Sequence, residues 1–345
     1  MKALVKTEKG VGFLELRDVP EPVNTGDEVL IEIKAAGICG TDVHVKHDEF
    51  PYWPPVILGH EFAGEIIAVG ANVKGGWQNG DRVVGEPHTK ACGVCPLCRT
   101  GNIQICPEKR SPGWGIDGAF AKYLAYPPHL LHRIPEGLSY VEAALAEPTA
   151  NIATDLLERA KVEPEDFVVV LGPGPIGLIA AQAAKAEGAR AVMIVGTNAD
   201  EALRLATARK LGIDHVVNLQ QEDPVAKCLE LTNGRGADLV VECSGAAPAI
   251  ASTVDYVRKL GRSCAIGLTG KKPVQLDWDK FQGKVCTITF NMSTFYTSWD
   301  RSLSLLASGK VSAKDIITHE FPLAEWEAAF EAVEGLTALK AVLIP

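Results

Sequence analysis

Hydrophobic and polar positions follow two different patterns along this chain, and the change falls near residue 150. Over residues 1–90, apolar and polar residues alternate and glycines are frequent, as in DEVLIEIKAAGICG and EFAGEIIAVG. Alternation with a period of two predicts strands joined by turns. The first part of the chain is therefore predicted to be a β-rich domain.

The pattern beyond residue 150 is typical of repeating βαβ units. Short apolar runs such as AVMIVG at 191–196 and ADLVVECSG at 237–245 are separated by stretches with helical periodicity. Strands that alternate with helices form a parallel sheet, so an α/β domain is predicted here. After about residue 286 the pattern becomes irregular, and DRSLSLLASGK and AEWEAAFEAVEG are predicted to be amphipathic helices.

Length, composition and charge fit a globular protein of two domains. The chain has 345 residues, of which 47% are hydrophobic, and a formal net charge of -9. Because no lysine and arginine cluster is present, we expect neither nucleic acid nor a membrane surface as partner. No apolar run reaches the roughly 20 residues that span a bilayer, and the start lacks a signal-like segment. We therefore expect a cytoplasmic protein, in which disulfides are rare.

Four of the nine cysteines fall within the short segment CGVCPLCRTGNIQIC at 92–106. Two Cys-x2-Cys spacings bring thiolates about as close as a tetrahedral zinc ion requires. A redox pair and a nucleic-acid-binding zinc ribbon are the alternatives, and the negative net charge counts against the ribbon. A site of four thiolates leaves no position for substrate, so it is expected to stabilise the fold. The predicted ligands are Cys92, Cys95, Cys98 and Cys106.

The segment GPGPIG at 172–177 follows the predicted strand Phe167–Leu171 and opens a helix. In this setting the first glycine allows a tight turn, the second lets the backbone approach a pyrophosphate, and the third lets helix and strand pack closely. The pyrophosphate would lie on the N–H groups of the helix N-terminus. A glycine-rich turn without a ligand is the alternative. The predicted dinucleotide contacts are Gly172, Gly174, Pro175, Ile176 and Gly177.

A third set of residues offers a mixed group of metal ligands. GICGTDVH at 37–44 contains Cys39, and GHE at 59–61 contains His60 and Glu61. A soft thiolate with two harder donors is the kind of set found at catalytic zinc ions. Each residue also has an ordinary explanation, as a core thiol, a buried imidazole and a surface charge. Spacing alone leaves both interpretations open.

Taken together, these motifs and the later GDRV at 80–83 resemble the zinc-containing medium-chain alcohol dehydrogenases, in particular the sorbitol (L-iditol) and threonine dehydrogenase branch. The resemblance covers essentially the whole chain. It implies a GroES-like catalytic domain at 1–150, with the structural zinc lobe at 90–107, completed by 288–345. A Rossmann domain at 151–287 would be inserted between these parts, with catalysis in the cleft. It further implies two zinc ions per chain, NAD or NADP, and a homo-oligomer, either dimer or tetramer.

The resemblance also assigns roles to residues of the third set and its neighbours. Cys39, His60 and Glu61 would bind the catalytic zinc. Glu147 stands where alcohol dehydrogenases proper have a cysteine, and it would contact the zinc directly or through water. Asp42 would orient the imidazole of the zinc ligand, although an Asp in a turn is the alternative.

The same resemblance suggests a route by which the hydroxyl proton reaches solvent. Thr41 matches the hydroxyl of the family's proton relay, and His44 matches the residue that completes it through the cofactor ribose. An imidazole that titrates near neutrality suits this outlet. A turn threonine and a surface histidine are the alternatives.

The coenzyme preference is left open by the sequence. An acidic residue at the end of the second strand would bind the NAD ribose, but Gly196 and Thr197 occupy that position. Asp200 follows three residues later, and Arg204 lies on the next helix, where it would attract a 2′-phosphate. These four residues are cofactor candidates. Two further candidates are Gly267 and Asn291.

The expected activity is hydride transfer between a secondary alcohol, polyol or sugar-like, and NAD(P). Tyr52, Trp53 and Trp114 are candidate walls of the substrate pocket, although most aromatic residues belong to a core. L-threonine 3-dehydrogenase is the enzyme alternative. A non-catalytic nicotinamide-binding structural or sensor protein is the alternative from another class. The presence of Cys39, His60 and Glu61 argues against it.

Overall fold

The computed structural model describes residues 1–270 and 273–345, and these divide into two compact units. The sequence predicted that the second domain ends at residue 287, whereas the second unit continues to residue 292 and takes a further segment. None of the described helices is long and apolar enough to cross a membrane. The first unit comprises Met1–Ala150, Ser293–Ala307 and Ile317–Pro345, and the second comprises Asn151–Met292 and Ser308–Ile316.

The strands within residues 1–90 and the strands Phe167–Leu171, Ala191–Gly196 and Ala237–Glu242 fall where the sequence predicts them, whereas the two strands after residue 316 were not predicted. The described strands are β1 (Lys2–Lys6), β2 (Leu14–Asp18), β3 (Val29–Gly37), β4 (Val56–Ile57), β5 (Glu61–Val69), β6 (Arg82–Gly85), β7 (Tyr123–Tyr126), β8 (Leu131–Arg133), β9 (Phe167–Leu171), β10 (Ala191–Gly196), β11 (His215–Asn218), β12 (Ala237–Glu242), β13 (Val257–Ala265), β14 (Thr287–Phe290), β15 (Ile317–Pro322) and β16 (Lys340–Ile344).

The described α-helices range from 4 to 12 residues in both units. They are α1 (Gly40–Lys46), α2 (Pro96–Arg99), α3 (Tyr140–Ala143), α4 (Ala146–Ile152), α5 (Pro175–Ala186), α6 (Ala206–Lys210), α7 (Pro224–Leu231), α8 (Ala247–Tyr256), α9 (Trp278–Lys284), α10 (Tyr296–Ala307), α11 (Ala313–Ile316) and α12 (Trp326–Glu334). Single 3₁₀ turns lie at Ile103–Ile105, Pro128–Leu130, Asn198–Asp200 and Leu323–Glu325, and π-helical segments at Ala153–Arg159 and Glu201–Leu205.

The first unit is built on a mostly antiparallel sheet whose strands come from both ends of the chain. Its order is β15-β16-β3-β5-β6-β8, with β7 also paired to β3, and a smaller sheet has the order β2-β1-β4. Along β3, inward residues such as Ile31 and Ile33 alternate with partly exposed ones, as the period of two predicts. The C-terminal strand β16 pairs with β3, so the last residues of the chain complete this unit.

The second unit contains a parallel sheet with the order β11-β10-β9-β12-β13-β14. This is the strand order of a Rossmann domain, in which the first strand lies at the centre. All five residues of β9 are buried, because helices cover both faces of such a sheet. The predicted α/β class with a β-rich domain and a Rossmann domain is therefore confirmed. β14, which the sequence assigned mainly to the C-terminal part, is the sixth strand of this sheet.

Candidate active site and nucleotide site

Cys39, His60 and Glu61 are brought together by the register of two antiparallel strands. β3 ends at Gly37 and β5 begins at Glu61, and these two residues are directly paired. Cys39 follows the end of β3 as the N-cap of α1, and His60 immediately precedes β5. One ligand atom from each of the three side chains lies within 4.8 Å of the others, and His60 and Glu61 are buried. The arrangement therefore fits a single metal ion.

Asp42 links the two loops that carry these ligands. Its Oδ2 accepts a hydrogen bond from the N–H of Cys39 at 2.9 Å, and its Oδ1 accepts one from the N–H of Gly59 at 3.3 Å. The same Oδ1 lies 3.7 Å from Nδ1 of His60. Because the Asp42 side chain is fully buried, these contacts fix its position. The carboxylate is thus held beside the imidazole, where it can orient the ring.

His60 lies in an enclosed and electronegative environment. The indole of Trp114 packs edge-on against its ring, with centroids 4.8 Å apart. Burial alone would lower the pKa of His60, but the charges of Asp42 and Cys39 raise it well above its ordinary value. Its buried Nδ1 makes no hydrogen bond within the described residues. A surplus of negative charge around an imidazole is the environment in which a metal cation is favoured.

Lys340, which the sequence analysis missed, completes this cluster. It is the first residue of β16, which pairs with β3, and its ammonium is buried. Nζ forms an ion pair with Oε2 of Glu61 and donates a hydrogen bond to the carbonyl of Ile38 at 2.9 Å. Burial would lower the pKa of Lys340, but Glu61 and Cys39 raise it above its usual value. The sequence signal was a lysine at the head of the apolar run KAVLI.

Glu147 is buried in the first turn of α4 and lies outside the tight cluster of metal-ligand candidates. Its carboxylate is not among the metal-ligand atoms of the described residues that lie within 4.8 Å of one another. Its charge nevertheless acts on two lysines. Burial lowers the pKa of Lys109 to about 8, against an opposing effect of Glu147, and Glu147 also helps to raise that of Lys340. Glu147 thus belongs to the same charged region as the metal-ligand candidates.

Thr41 and His44 lie three residues apart on α1, so they share one side of that helix. Thr41 is half-buried, next to Asp42, which is fully buried. His44 is partly exposed, and its Nδ1 lies 2.9 Å from Oε2 of Glu49. The first turn of α1 therefore carries a hydroxyl beside the cluster, and its last turn carries an imidazole in contact with solvent.

The three aromatic residues suggested for a substrate pocket have different surroundings. Tyr52 is buried, and its hydroxyl donates a hydrogen bond to Asp48 at 2.7 Å and accepts one from a backbone N–H at 2.9 Å. Such a satisfied hydroxyl has a packing role. Trp53 is half exposed and stacks on the guanidinium of Arg110, 4.2 Å from the ring centroid. Of the three, Trp114 contacts a metal-ligand candidate.

The four cysteines of the 92–106 segment form a second cluster with the dimensions of a tetrahedral site. Sγ of Cys92 lies 3.7 Å from Sγ of Cys106 and 4.0 Å from Sγ of Cys98. Zinc–sulfur bonds of about 2.3 Å give sulfur separations of about 3.8 Å. The N–H of Cys92 donates to Sγ of Cys106, which lowers the pKa of that thiol to about 6. All nine cysteines are described, and none forms a disulfide.

The glycine-rich segment of the second unit has the geometry that its spacing predicts. Gly172 has a φ of +100°, and a Cβ there would lie 2.8 Å from Ser244. A Cβ on Gly177 would lie 1.9 Å from the carbonyl oxygen of Gly172, whereas one on Gly174 would meet no protein atom within 4 Å. Pro175 is the first residue of α5, and Ile176 follows it. Gly174 therefore leaves open space at the N-terminus of the helix, which suits an incoming phosphate.

A cavity of about 740 Å³ extends from this glycine turn along the ends of the parallel strands of the second unit. Its size and its position at the strand ends suit the nucleotide of a dinucleotide cofactor. The predicted cofactor residues in its lining are Gly172, Gly174, Gly196, Thr197, Asp200 and Arg204.

Asp200 is already bonded to its own chain at the rim of this cavity. Its Oδ2 accepts hydrogen bonds from the N–H and the hydroxyl of Thr197, at 2.9 and 2.8 Å. Its Oδ1 pairs with Nη1 of Arg204 at 3.0 Å, and the buried Nε of Arg204 has no partner within the described residues. A carboxylate and a guanidinium thus lie together where the 2′ position of a bound cofactor's ribose would be recognised.

Gly267 and Asn291 lie apart from this cavity lining. Gly267 packs on the Gly245 turn, where a Cβ would approach the N–H of Gly245 to 2.1 Å. Asn291 forms a side-chain hydrogen bond to Asp155, a buried residue of the π-helical segment. Within the second unit, Gly267 thus allows the close packing of two turns, and Asn291 binds the side chain of Asp155.

Two family models match successive parts of the chain. Residues 25–136 match the alcohol dehydrogenase GroES-like domain, and residues 175–308 match the zinc-binding dehydrogenase domain.

Several curated proteins are similar over almost their full length. A sorbitol dehydrogenase of Halalkalibacterium halodurans is 39% identical, with 100% of this chain and 99% of the relative covered. A D-arabitol-phosphate dehydrogenase of Enterococcus avium is 35% identical, with 99% and 97% covered. An L-threonine 3-dehydrogenase of Bacillus licheniformis is 38% identical, with 100% and 99% covered.

Solved structures share the fold of the whole chain. The alcohol dehydrogenase TADH from Thermus sp. ATN1 is 32% identical with a TM-score of 0.89, and 100% of this chain and 99% of that chain are covered. A structure from Sinorhizobium meliloti 1021 bound to NADP is 28% identical with a TM-score of 0.91 and the same coverage. A zinc ion and a nicotinamide cofactor are therefore the cofactors of this group of proteins.

Proposed function

The chain belongs to the zinc-containing medium-chain alcohol dehydrogenases, and from this premise we propose that it oxidises a secondary hydroxyl of a polyol or sugar-like alcohol. NAD(P)⁺ takes the hydride, the hydroxyl proton leaves to solvent, and a ketone is formed. The observation that carries the proposal is the cluster of Cys39, His60 and Glu61, whose ligand atoms lie within 4.8 Å of one another.

We further propose that each chain binds two zinc ions. The mixed cluster around Cys39 leaves a coordination position for substrate, whereas the four thiolates at 92–106 form a closed set. The sulfur separations of 3.7 and 4.0 Å support the second assignment. Zinc bound to the mixed cluster would act as a Lewis acid that lowers the pKa of the substrate hydroxyl. The two ions thus have different tasks, and their loss has different consequences.

The chain's own residues orient the site and conduct the proton. Asp42 holds the loop of Cys39 and faces the imidazole of His60, so it fixes the ring orientation. Thr41 is proposed to accept the hydroxyl proton, and His44 is proposed to release it to solvent. The partial exposure of His44 and its contact with Glu49 support this exit. Glu147 is proposed to contact the metal through water, which agrees with its position outside the tight cluster.

Both coenzymes are proposed to bind, with Asp200 and Arg204 deciding the preference. The ribose diol of NAD would be bound by a carboxylate, and Oδ1 of Asp200, which contacts Arg204, can accept a further hydrogen bond. A 2′-phosphate needs a cation, and Arg204 supplies one in the lining of the same cavity. The paired charges thus exclude neither coenzyme, and appreciable use of NADP is expected.

The relative named for sorbitol favours an uncharged, hydroxyl-rich substrate. The relative named for D-arabitol phosphate extends the proposed substrates to a phosphorylated polyol. One observation favours a second candidate, L-threonine, whose α-carboxylate needs a cation near the reacting centre. Lys109 lies close enough to Glu147 for the two charges to act on each other. Substrates with a carboxylate or a phosphate group are therefore included in the activity test.

The chain is also proposed to form a homo-oligomer through the edge of the second unit's sheet. β14 is the last strand of that sheet in the described part of the chain. Its last residue Phe290 and the neighbouring Val285 and Met292 are largely exposed. An edge strand flanked by exposed apolar residues is a natural surface for pairing with another chain. Light scattering of the purified protein measures the subunit number.

A coupled absorbance screen tests the function directly. Zinc-loaded protein is assayed with NAD and with NADP against polyols, sugar alcohols, polyol phosphates and L-threonine, with Cys39→Ser as the inactive control. We expect the highest kcat/KM for a substrate with a secondary hydroxyl next to another hydroxyl. Efficient turnover of L-threonine, with no activity on the polyol panel, would assign the chain to the second candidate.

A further inference from the structure

Lys340 and Glu61 form a buried ion pair at the edge of the proposed catalytic metal site. Glu61 is the ligand candidate at the start of β5, and Lys340 is the first residue of β16. Both side chains are at most 5% exposed, and the ammonium touches Oε2 of Glu61. A buried charge pair is costly to form unless both partners are well held, so its presence at this position requires a reason.

The surrounding backbone is shaped around this pair. Gly37 lies opposite Glu61 in the register of β3 and β5. A Cβ on Gly37 would come within 2.4 Å of Oε2 of Glu61 and within 3.0 Å of Cε of Lys340. The carbonyl of Ile38 accepts a second bond from the ammonium at 2.9 Å. One oxygen of Glu61 is thus held by Lys340, while the same carboxylate supplies a ligand atom to the cluster with Cys39 and His60.

The charges of the cluster explain why a cation is needed in addition to a metal. Besides the thiolate of Cys39, the buried carboxylates of Asp42, Glu61 and Glu147 contribute negative charge to this region. A zinc dication offsets part of this charge, and a buried cation offsets a further part. Lys340 is the buried cation that contacts a ligand of the set.

We propose that Lys340 is a positioning residue of the catalytic metal site, which holds one oxygen of Glu61 and balances the charge of the donor set. It thereby sets how tightly the metal is bound and which oxygen of Glu61 remains available to it. This inference rests on the proposed binding of zinc by Cys39, His60 and Glu61. In this role Lys340 acts on the metal site through Glu61.

The test measures metal release and ligand geometry in Lys340→Met. The zinc ion that is followed is the one proposed to bind Cys39, His60 and Glu61. It is identified as the ion that the Cys39→Ser variant lacks. Without the positive charge, the donor set is more negative, so release of this zinc to a chelator is expected to slow by about tenfold or more. With cobalt(II) in place of zinc, the visible bands are expected to shift, because the carboxylate of Glu61 is no longer held away. The matched control is Lys34→Met, which removes a Lys–Glu pair on the same strand β3.

A second variant covers the case in which Lys340→Met does not fold. Gly37→Ala keeps both charges but forces Glu61 and Lys340 apart, and the same shift of the cobalt bands is expected. Unchanged release and unchanged bands in the variants that fold would overturn the inference. If wild-type protein and Cys39→Ser hold the same amount of zinc, the metal assignment itself is wrong and the inference falls with it.

Discussion

The carboxylate of Asp42 accepts a hydrogen bond from the backbone N–H of Cys39 at 2.9 Å. Through this bond a single buried side chain caps α1 and fixes the loop that carries a metal-ligand candidate. The other oxygen reaches the N–H of Gly59, one residue before His60. Two ligands that lie 21 positions apart in sequence, at 39 and 60, are thus held in one geometry by Asp42.

Replacing Asp42 by Asn is expected to weaken metal binding while the fold is kept. The amide can still accept a bond from Cys39, but the negative charge beside His60 is lost. Loss of such an outer contact lowers metal affinity by about 10–100-fold. Competition with a chelator measures the change. Asp48→Asn is the control, because Asp48 binds Tyr52 in the same segment; equal metal affinity in Asp42→Asn and wild type would contradict the role.

The two metal clusters are expected to respond differently to loss of a thiol. Cys39→Ser is expected to lose one equivalent of zinc and the activity, with an unchanged unfolding temperature. Cys95→Ser is expected to lose the other equivalent and to unfold at a lower temperature, because structural zinc contributes on the order of 10 kcal/mol in small zinc domains. Metal analysis and thermal unfolding measure both. A single zinc in fully loaded wild type would refute the prediction.

Features encoded by short stretches of sequence were predictable here. The GPGPIG turn lies between β9 and α5 because an apolar run and a helical run flank it directly. The cluster of Cys92, Cys95, Cys98 and Cys106 is local as well, so its spacing alone indicated a closed site.

Features that depend on distant strand pairing were not predictable. Lys340 meets Glu61 because β16 pairs with β3, and the residues in contact at Ile38 and Lys340 are 302 positions apart. No periodicity indicates which strands become neighbours. Tyr52 illustrates a second limit, since an aromatic residue next to a proposed pocket has the same sequence signal whether it lines that pocket or packs in the core.

Arg204 is expected to control the use of NADP. In Arg204→Met the cation in the cavity lining is lost and Oδ1 of Asp200 is released to bind a ribose diol. The ratio of kcat/KM for NADP to that for NAD is expected to fall by about tenfold or more, since a charge-assisted contact contributes about 1.5–3 kcal/mol. Arg209→Met is the control, because Arg209 pairs with Glu201 in the neighbouring turn. An equal loss with both coenzymes would exclude a role in discrimination.

Lys109 is expected to distinguish anionic from neutral substrates. If its ammonium attracts a substrate carboxylate or phosphate, Lys109→Met lowers kcat/KM for L-threonine or a polyol phosphate and spares the parent polyol. Arg110→Met is the control, since Arg110 stacks on Trp53. Steady-state kinetics on the three substrates measure the effect, and an equal loss on all of them would indicate a purely structural lysine.

Asp155 is expected to make the protein less stable as the pH rises. Burial raises its pKa to about 7 from a usual value of 3.8, against weaker opposing effects of Asn291 and Arg159. The unfolded chain therefore releases this proton near pH 4, and the folded chain retains it until about pH 7. Stability then falls as the pH rises through this window, by about 4 kcal/mol at most for a shift of this size.

The variant Asp155→Asn removes this titratable group and tests whether stability falls as the pH rises. Relative to wild type, its unfolding midpoint in urea is expected to change little near pH 4 and to rise progressively toward pH 8. Asp214→Asn is a control for which the opposite pH dependence of stability is expected. Burial would raise the pKa of Asp214, but bonds to Lys185 and to the N–H of Val192 lower it. That variant is expected to be less stable than wild type at neutral pH, and the difference vanishes in acid. A constant difference between Asp155→Asn and wild type from pH 4 to pH 8 would show that Asp155 is ionised throughout.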